Sequence, residues 1–315
     1  MNTTPWNIDT AIDLAEWSQA AYMIPNTVTK GLCPIRGFAA ARGFQSEIVS
    51  DKATDSLIIV ASDGRRIIVS ARGTRSLENW LVDCDIAFDR WSMWLPPTLK
   101  VHAGFKRAFA ATWERVTEQI IIFKEADPQA EIFFNGHSLG AAIAAELWIF
   151  WQEAQGTKNP KMTASLINFG QPRMGNHALA QYAESLGASR HCTRFIHCDD
   201  PVPRVPFRAG LYRHWGTEIW FDENNQPWTN QAWYWKLPAD ADALWREGKM
   251  FLAGCGHLAA EKLLRRDRAT MKGQVYIPLL SDHSIENYLR MLREYKRKQA
   301  IHAYVERTGG ESSQS

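Results

Sequence analysis

The sequence predicts an α/β protein with a mostly parallel sheet covered by helices on both faces. Two observations carry this. The runs "EIFFN" (131–135), "SLINFG" (165–170) and "TRFIHC" (193–198) are almost wholly apolar, as strands are when both faces of a sheet are buried. They alternate with stretches whose apolar residues recur every three or four positions, the spacing of helices packed on such a sheet. In sheets of this kind the working residues sit at the carboxyl ends of the strands.

The elements follow in order. Residues 9–22 place Ala11, Leu14, Ala15, Ser18, Ala21 and Tyr22 on one stripe of a first helix. "SLIIVASDGRRIIVSARG" (56–73) is two strands around the turn signal Ser62-Asp63-Gly64. Phe105, Phe109, Trp113, Val116 and Ile120 predict one long amphipathic helix, stopped by Pro128. "AAIAAELWIFWQEA" after the 131–135 strand is a buried helix, and "RHWGTEIWF" (213–221) a further strand. A Trp-rich region with one helix near 258–266 comes next. Ile285, Tyr288, Leu289, Leu292 and Tyr295 mark a C-terminal helix, and "RTGGESSQS" reads as a disordered tail. No repeat or low-complexity linker divides the chain.

Bulk properties exclude some classes. The chain has 315 residues, 45% of them apolar, enough for a full core. Lys and Arg total 36 against 34 acidic residues, a net charge of +2, so no basic footprint for nucleic acid is present. No apolar run reaches about 18 residues, the length that reads as a membrane-spanning helix. "MNTTPWNIDT" has neither the basic nor the apolar region of a signal peptide. With five scattered cysteines, that predicts a cytoplasmic protein. A secreted chain with its leader removed fits the same pattern.

The chemistry centres on "FFNGHSLGAA" (133–142). Gly136-His137-Ser138-Leu139-Gly140 fits G-x-S-x-G at the point where a strand becomes a helix. A turn this tight strains the serine backbone and needs glycine on both flanks, and it lifts the hydroxyl clear of the sheet. It also sets the first N–H groups of the helix, that of Leu139 foremost, beside a developing negative oxygen. The bland alternative is a helix N-cap serine after a glycine turn. A serine needs a base, and the base a carboxylate to orient it. The expected chain order is Ser, acid, His. Asp199 and Asp200 follow a strand, and His214, His257, His283 and His302 lie beyond. His137 adjoins the serine, but neighbouring side chains at a sharp turn diverge.

Here the chain resembles the class 3 lipases, the fungal triacylglycerol lipase family. "ARGTRSLENWLVD" (71–83), "VHAGF" (101–105), "GHSLG" (136–140), "FGQPRMGN" (169–176), "DPVPRVP" (200–206) and "SDHS" (281–284) stand in family order. The resemblance implies an α/β-hydrolase fold in one domain, 1–305, with 306–315 as the tail. It implies Ser138 as nucleophile, Asp200 as acid and His283 as base. Thr74 joins Leu139 in the oxyanion hole. It implies a helical lid at about 75–83, with Leu77, Trp80 and Leu81 on it, over a site that makes transient contact with a lipid–water interface. The gap between Asp200 and His283 is longer than in compact fungal members, which gives a Trp-rich insertion at about 222–278. Ala71 and Ala141 depart from the family, which often carries an aromatic residue and a second glycine there.

The expected activity is carboxylic ester hydrolysis, of triacylglycerols first. Phospholipase or short-chain esterase is the alternative, and a non-catalytic interaction domain is a more distant one. No cofactor or metal is called for. His197 and Cys198, the nearest approach to a metal pair, are expected on opposite faces of a strand.

Overall fold

The computed structural model describes residues 6–23, 33–73, 88–91, 96–198, 200–206, 211–230 and 282–309. Along the chain run α1 (Ile8–Ala20), α2 (Pro34–Ala41), β1 (Gln45–Asp51), β2 (Ser56–Ser62), β3 (Arg66–Ala71), β4 (Phe88–Arg90) and β5 (Lys100–His102). Then come α3 (Ala103–Ala110), α4 (Trp113–Ala126), β6 (Glu131–His137), α5 (Leu139–Trp151), β7 (Ala164–Phe169) and β8 (Gly175–Asn176). The rest are α6 (His177–Ser185), α7 (Ala188–His191), β9 (Cys192–His197), β10 (Tyr212–Arg213), β11 (Thr217–Phe221), β12 (Pro227–Thr229) and α8 (Ile285–Gly309).

The main sheet has eight strands in the order β1-β2-β3-β6-β7-β9-β11-β12. From β3 through β11 every neighbouring pair is parallel, while β1, β2 and β12 pair antiparallel at the edges. The strands are apolar because alternate residues feed two cores. Ile58, Val60, Ile67, Val69, Ile132 and Phe134 face α3, α4 and α5. Leu57, Ile59, Ile68, Phe169, Phe195 and Phe221 face α1, α2 and α8. A second, four-stranded sheet, β10-β8-β5-β4, stands beside the first. Trp17, Trp148 and Trp151 are fully buried, so these tryptophans belong to the core.

Several expectations change. The single helix expected from Phe105 to Ile120 is two helices. Thr112, at φ −131°, turns its hydroxyl back onto the Ala108 and Phe109 carbonyls (2.9 and 3.3 Å), and α4 starts afresh after it. β1 carries few apolar residues because it is an edge strand with half its positions open to water, so apolar runs do not reveal it. α8 runs to Gly309. β9 ends at His197, and Cys198 takes φ +41°. Its Sγ therefore comes within 3.7 Å of His197 Nε2 instead of pointing away. The expected helix near 258–266, the lid at 75–83 with Leu77, Trp80 and Leu81, Thr74 and most of the 222–278 insertion lie outside the described residues.

Candidate active site

The carboxyl ends of β3, β6, β7 and β9 converge. Ser138 follows β6 at φ 60° and ψ −131°, a backbone region that side chains avoid. Its amide bonds the Phe169 carbonyl at 3.0 Å, tying the turn to the end of β7. Gly140 has to be glycine, because a Cβ there would lie closer than 3.0 Å to the Ala71 carbonyl and to the backbone of Arg72 and Gly73. The strand-to-helix turn is thus packed against the end of β3. Arg72 is anchored in turn by Asp55, its guanidinium lying 2.6 Å from Oδ1 and 2.7 Å from the Asp55 carbonyl.

Asp200 follows β9, and His283 stands just before α8. His283 Nδ1 lies 2.8 and 3.0 Å from the two Asp200 oxygens. A carboxylate only accepts, so Nδ1 carries the proton and Nε2 presents a lone pair. Asp200 also accepts from the Val202 amide at 2.8 Å and the Tyr288 hydroxyl at 2.6 Å. Burial pushes the Asp200 carboxyl up. The His283 charge and the bonds from His283, Tyr288 and Val202 outweigh burial and hold it below the usual carboxylate range. Gly170, at the end of β7, makes room for the pair. At φ +59°, a Cβ there would sit 2.8 Å from His283 Cε1 and 2.9 Å from Asp200 Oδ2.

Ser138 and His283 are each 2% exposed. Ser138 Oγ and His283 Nε2 are both buried without a hydrogen-bond partner among the described residues. Leaving two such atoms unpaired costs about 1–3 kcal/mol each. Both atoms are therefore left with unused hydrogen-bonding capacity. The enclosure also means that a bulky substrate enters only after some movement.

Sequence reasoning missed a polar chain beneath the site. His137 Nε2 lies 2.5 Å from the His283 carbonyl and Nδ1 lies 2.9 Å from the Tyr22 hydroxyl. The carbonyl fixes the tautomer, so Nε2 donates and Nδ1 accepts from Tyr22. The Tyr22 hydroxyl lies close against Gly73, the residue before Thr74. Burial first, then the neighbouring His283, drive the His137 pKa down to about 3. With both nitrogens occupied, His137 is no base; it fastens the His283 loop. His214 is bonded through Nε2 to the Pro203 carbonyl at 2.7 Å. His257 lies outside the described residues. Tyr22 and Tyr288 stood in the sequence only as members of apolar helical stripes, which say nothing of where a hydroxyl points.

Comparison with known proteins agrees with this architecture. Residues 68–210 match the family described as Lipase (class 3). "Secreted mono- and diacylglycerol lipase A" of Penicillium cyclopium is 30% identical over 204 residues, 62% of either chain. "Secreted mono- and diacylglycerol lipase 1" of Fusarium solani is 31% identical over 165 residues, 52% of this chain and 46% of the relative. The chain thus spans about three fifths of the Penicillium relative's length and less of the Fusarium one. A Rhizomucor miehei lipase–propeptide complex superposes with a TM-score of 0.59 at 24% identity, over 70% of each chain, a likeness of fold. The fold is that of the α/β-hydrolases. Over residues 68–210 the chain is similar to the class 3 lipases.

The expected cytoplasmic location is overturned, since both of these relatives are named secreted lipases. The signals behind that expectation were weak physically. A cleaved leader leaves no trace in a folded chain. A thiol such as Cys192, 1% exposed, is shielded from oxidants in any compartment. No helix among the described residues is long and apolar enough to cross a membrane.

Proposed function

We propose that the protein is a serine carboxylic ester hydrolase acting on acylglycerols outside the cell. The observation that carries this reading is the buried Asp200–His283 pair beside a strained serine, with Ser138 Oγ and His283 Nε2 both unpartnered among the described residues. Ser138 Oγ attacks the ester carbonyl while His283 Nε2 takes its proton. Asp200 holds the ring and faces the imidazolium that forms. The amides of Leu139 and Thr74 receive the oxyanion. His283 then protonates the departing alcohol. Water, deprotonated by the same nitrogen, releases the acid and restores Ser138.

The enclosed serine supports a gate, and we assign it to residues 75–83, with Leu77, Trp80 and Leu81 turned to lipid on opening. The 222–278 insertion forms one wall of the acyl site. Residues 1–305 act as one catalytic domain that makes transient contact with a lipid–water interface. No cofactor takes part. Relatives named as mono- and diacylglycerol lipases and a structural neighbour named as a triacylglycerol lipase support both substrate classes. The test is release of fatty acid from emulsified diolein and triolein and from p-nitrophenyl esters of graded length. Hydrolysis that disappears in Ser138→Ala is expected. Hydrolysis that survives unchanged in Ser138→Ala rules the assignment out.

A further inference from the structure

Asp200 is held from three sides, and one of them comes from an element not usually counted with an acid after a strand. The Tyr288 hydroxyl, in the first turns of α8, donates to Asp200 Oδ2 at 2.6 Å. Tyr288 is fully buried, and its oxygen accepts the His197 amide at 3.2 Å. A phenol has one proton. With an amide donor on its oxygen, that proton is committed to Asp200. The helix that carries Tyr288 begins at Ile285, two residues after His283. The phenol therefore joins the acid to the element that presents the base.

We propose that Tyr288 is a positioning residue of this site: its hydroxyl fixes the orientation of Asp200 and sets how tightly the Asp200–His283 pair holds a proton. The inference rests on the hydrolase reading above. Burial, then the Asp200 charge and bond, push the Tyr288 phenol well above its usual range, so it stays a neutral donor. Its bond to Asp200 is strongest when His283 is neutral and the carboxylate charge is uncompensated. It weakens once the ring is cationic. The hydroxyl thus favours the unprotonated ring, the form that can act as base. Among the described residues, the other titratable groups around the pair are His137 from β6, His197 from β9 and Asp282 before His283. His137 stays neutral, with its pKa near 3. His197 Nδ1 donates to the Asp282 carbonyl at 3.2 Å and lies 3.8 Å from its carboxylate.

The test compares Tyr288→Phe with wild type by kcat and KM across pH, by thermal midpoint and by the low-field proton resonance of the His283 Nδ1–H. In Tyr288→Phe, kcat is expected to fall about tenfold with KM nearly unchanged, because orientation is lost rather than binding. The acid limb is expected to move up by about half a pH unit or more, and the low-field proton to shift. Fluorotyrosine incorporated at Tyr288, a stronger donor of nearly the same shape, should move the limb the other way, and it serves as the variant if Phe impairs folding. Tyr295→Phe, on the same helix, should change neither. A folded Tyr288→Phe protein whose acid limb and low-field proton match wild type overturns the proposal, even if its thermal midpoint falls. The proton resonance needs no substrate. If wild type hydrolyses no ester, the hydrolase reading fails while the resonance still decides the role of Tyr288.

Discussion

Among the described residues two carboxyl groups are completely buried, and they behave oppositely. Asp200, after β9, receives donors from His283, Val202 and Tyr288, and it is held below the usual carboxylate range despite burial. Glu146, in the middle of α5, has no partner for either oxygen, and burial pushes it well above that range. Both are 0% exposed. Burial alone therefore does not decide charge; the donors that come with it do. One carboxylate is kept ionised to orient a base. The other lies in an apolar layer where burial favours the neutral acid, on the same helix whose first residue, Leu139, follows the nucleophile.

Breaking the ionised member should have the largest effect. Asp200→Asn keeps the shape but presents the wrong partner to His283 Nδ1, and a loss of about 10⁴-fold in kcat is expected. Steady-state hydrolysis of a soluble ester checks it, and a loss under tenfold would mean that another group orients His283. Gly170→Ala comes next. Its Cβ would press on the pair from 2.8 Å at a backbone angle that alanine resists, and a displacement near 1 Å costs about a hundredfold in rate. Normal turnover in a folded Gly170→Ala protein would show that the pair has slack the structure does not suggest.

The neutral member should show in stability, with the opposite pH sign. Glu146 is raised in the folded state, so its contribution is complete below the unfolded carboxylate pKa, about 4.3, and is lost as pH rises toward the folded value. Asp200 is lowered, so its contribution is present above the unfolded value and lost as pH falls through the folded one. Glu146→Gln cannot ionise. Relative to wild type it should gain about 1–3 kcal/mol between pH 5 and pH 8, read from denaturant midpoints at both. A constant difference across that range would mean that Glu146 is already ionised or paired.

A third carboxylate sharpens the contrast from the wet side. Glu16 is bonded by Arg42 and by Arg293 at 2.7 Å, but the Arg293 side chain is 57% exposed. Arg293→Ala should cost less than about 1 kcal/mol, because water and salt screen the pair. A loss of several kcal/mol would place that ion pair among the supports of the fold.

This contrast also explains what the sequence could reveal. Patterns of apolarity and tight turns are local, so the parallel strands, the turn at Ser138 and the order Ser, Asp, His could be read directly. Asp200 and His283 were separated from their neighbours only by family resemblance, since spacing left Asp199 and four histidines open. The hydroxyls of Tyr22 and Tyr288, the room made by Gly170 and the isolation of Glu146 are set by tertiary contacts between distant segments. Glu146 sits in "AAELWIF", where a charged residue would ordinarily mark a solvated face. The apolar run around it already reads as a buried helix, but it does not show whether a donor meets the carboxyl.

The central claim is that Asp200 and His283 make Ser138 a nucleophile. Stoichiometric labelling with a p-nitrophenyl alkylphosphonate, followed by peptide mass analysis, tests it most directly. The account predicts one phosphonyl group per chain, on the peptide holding Ser138, with labelling slowed by orders of magnitude in Asp200→Asn. A folded protein that takes no label, or takes it on another residue at the same rate with and without Asp200, would contradict it.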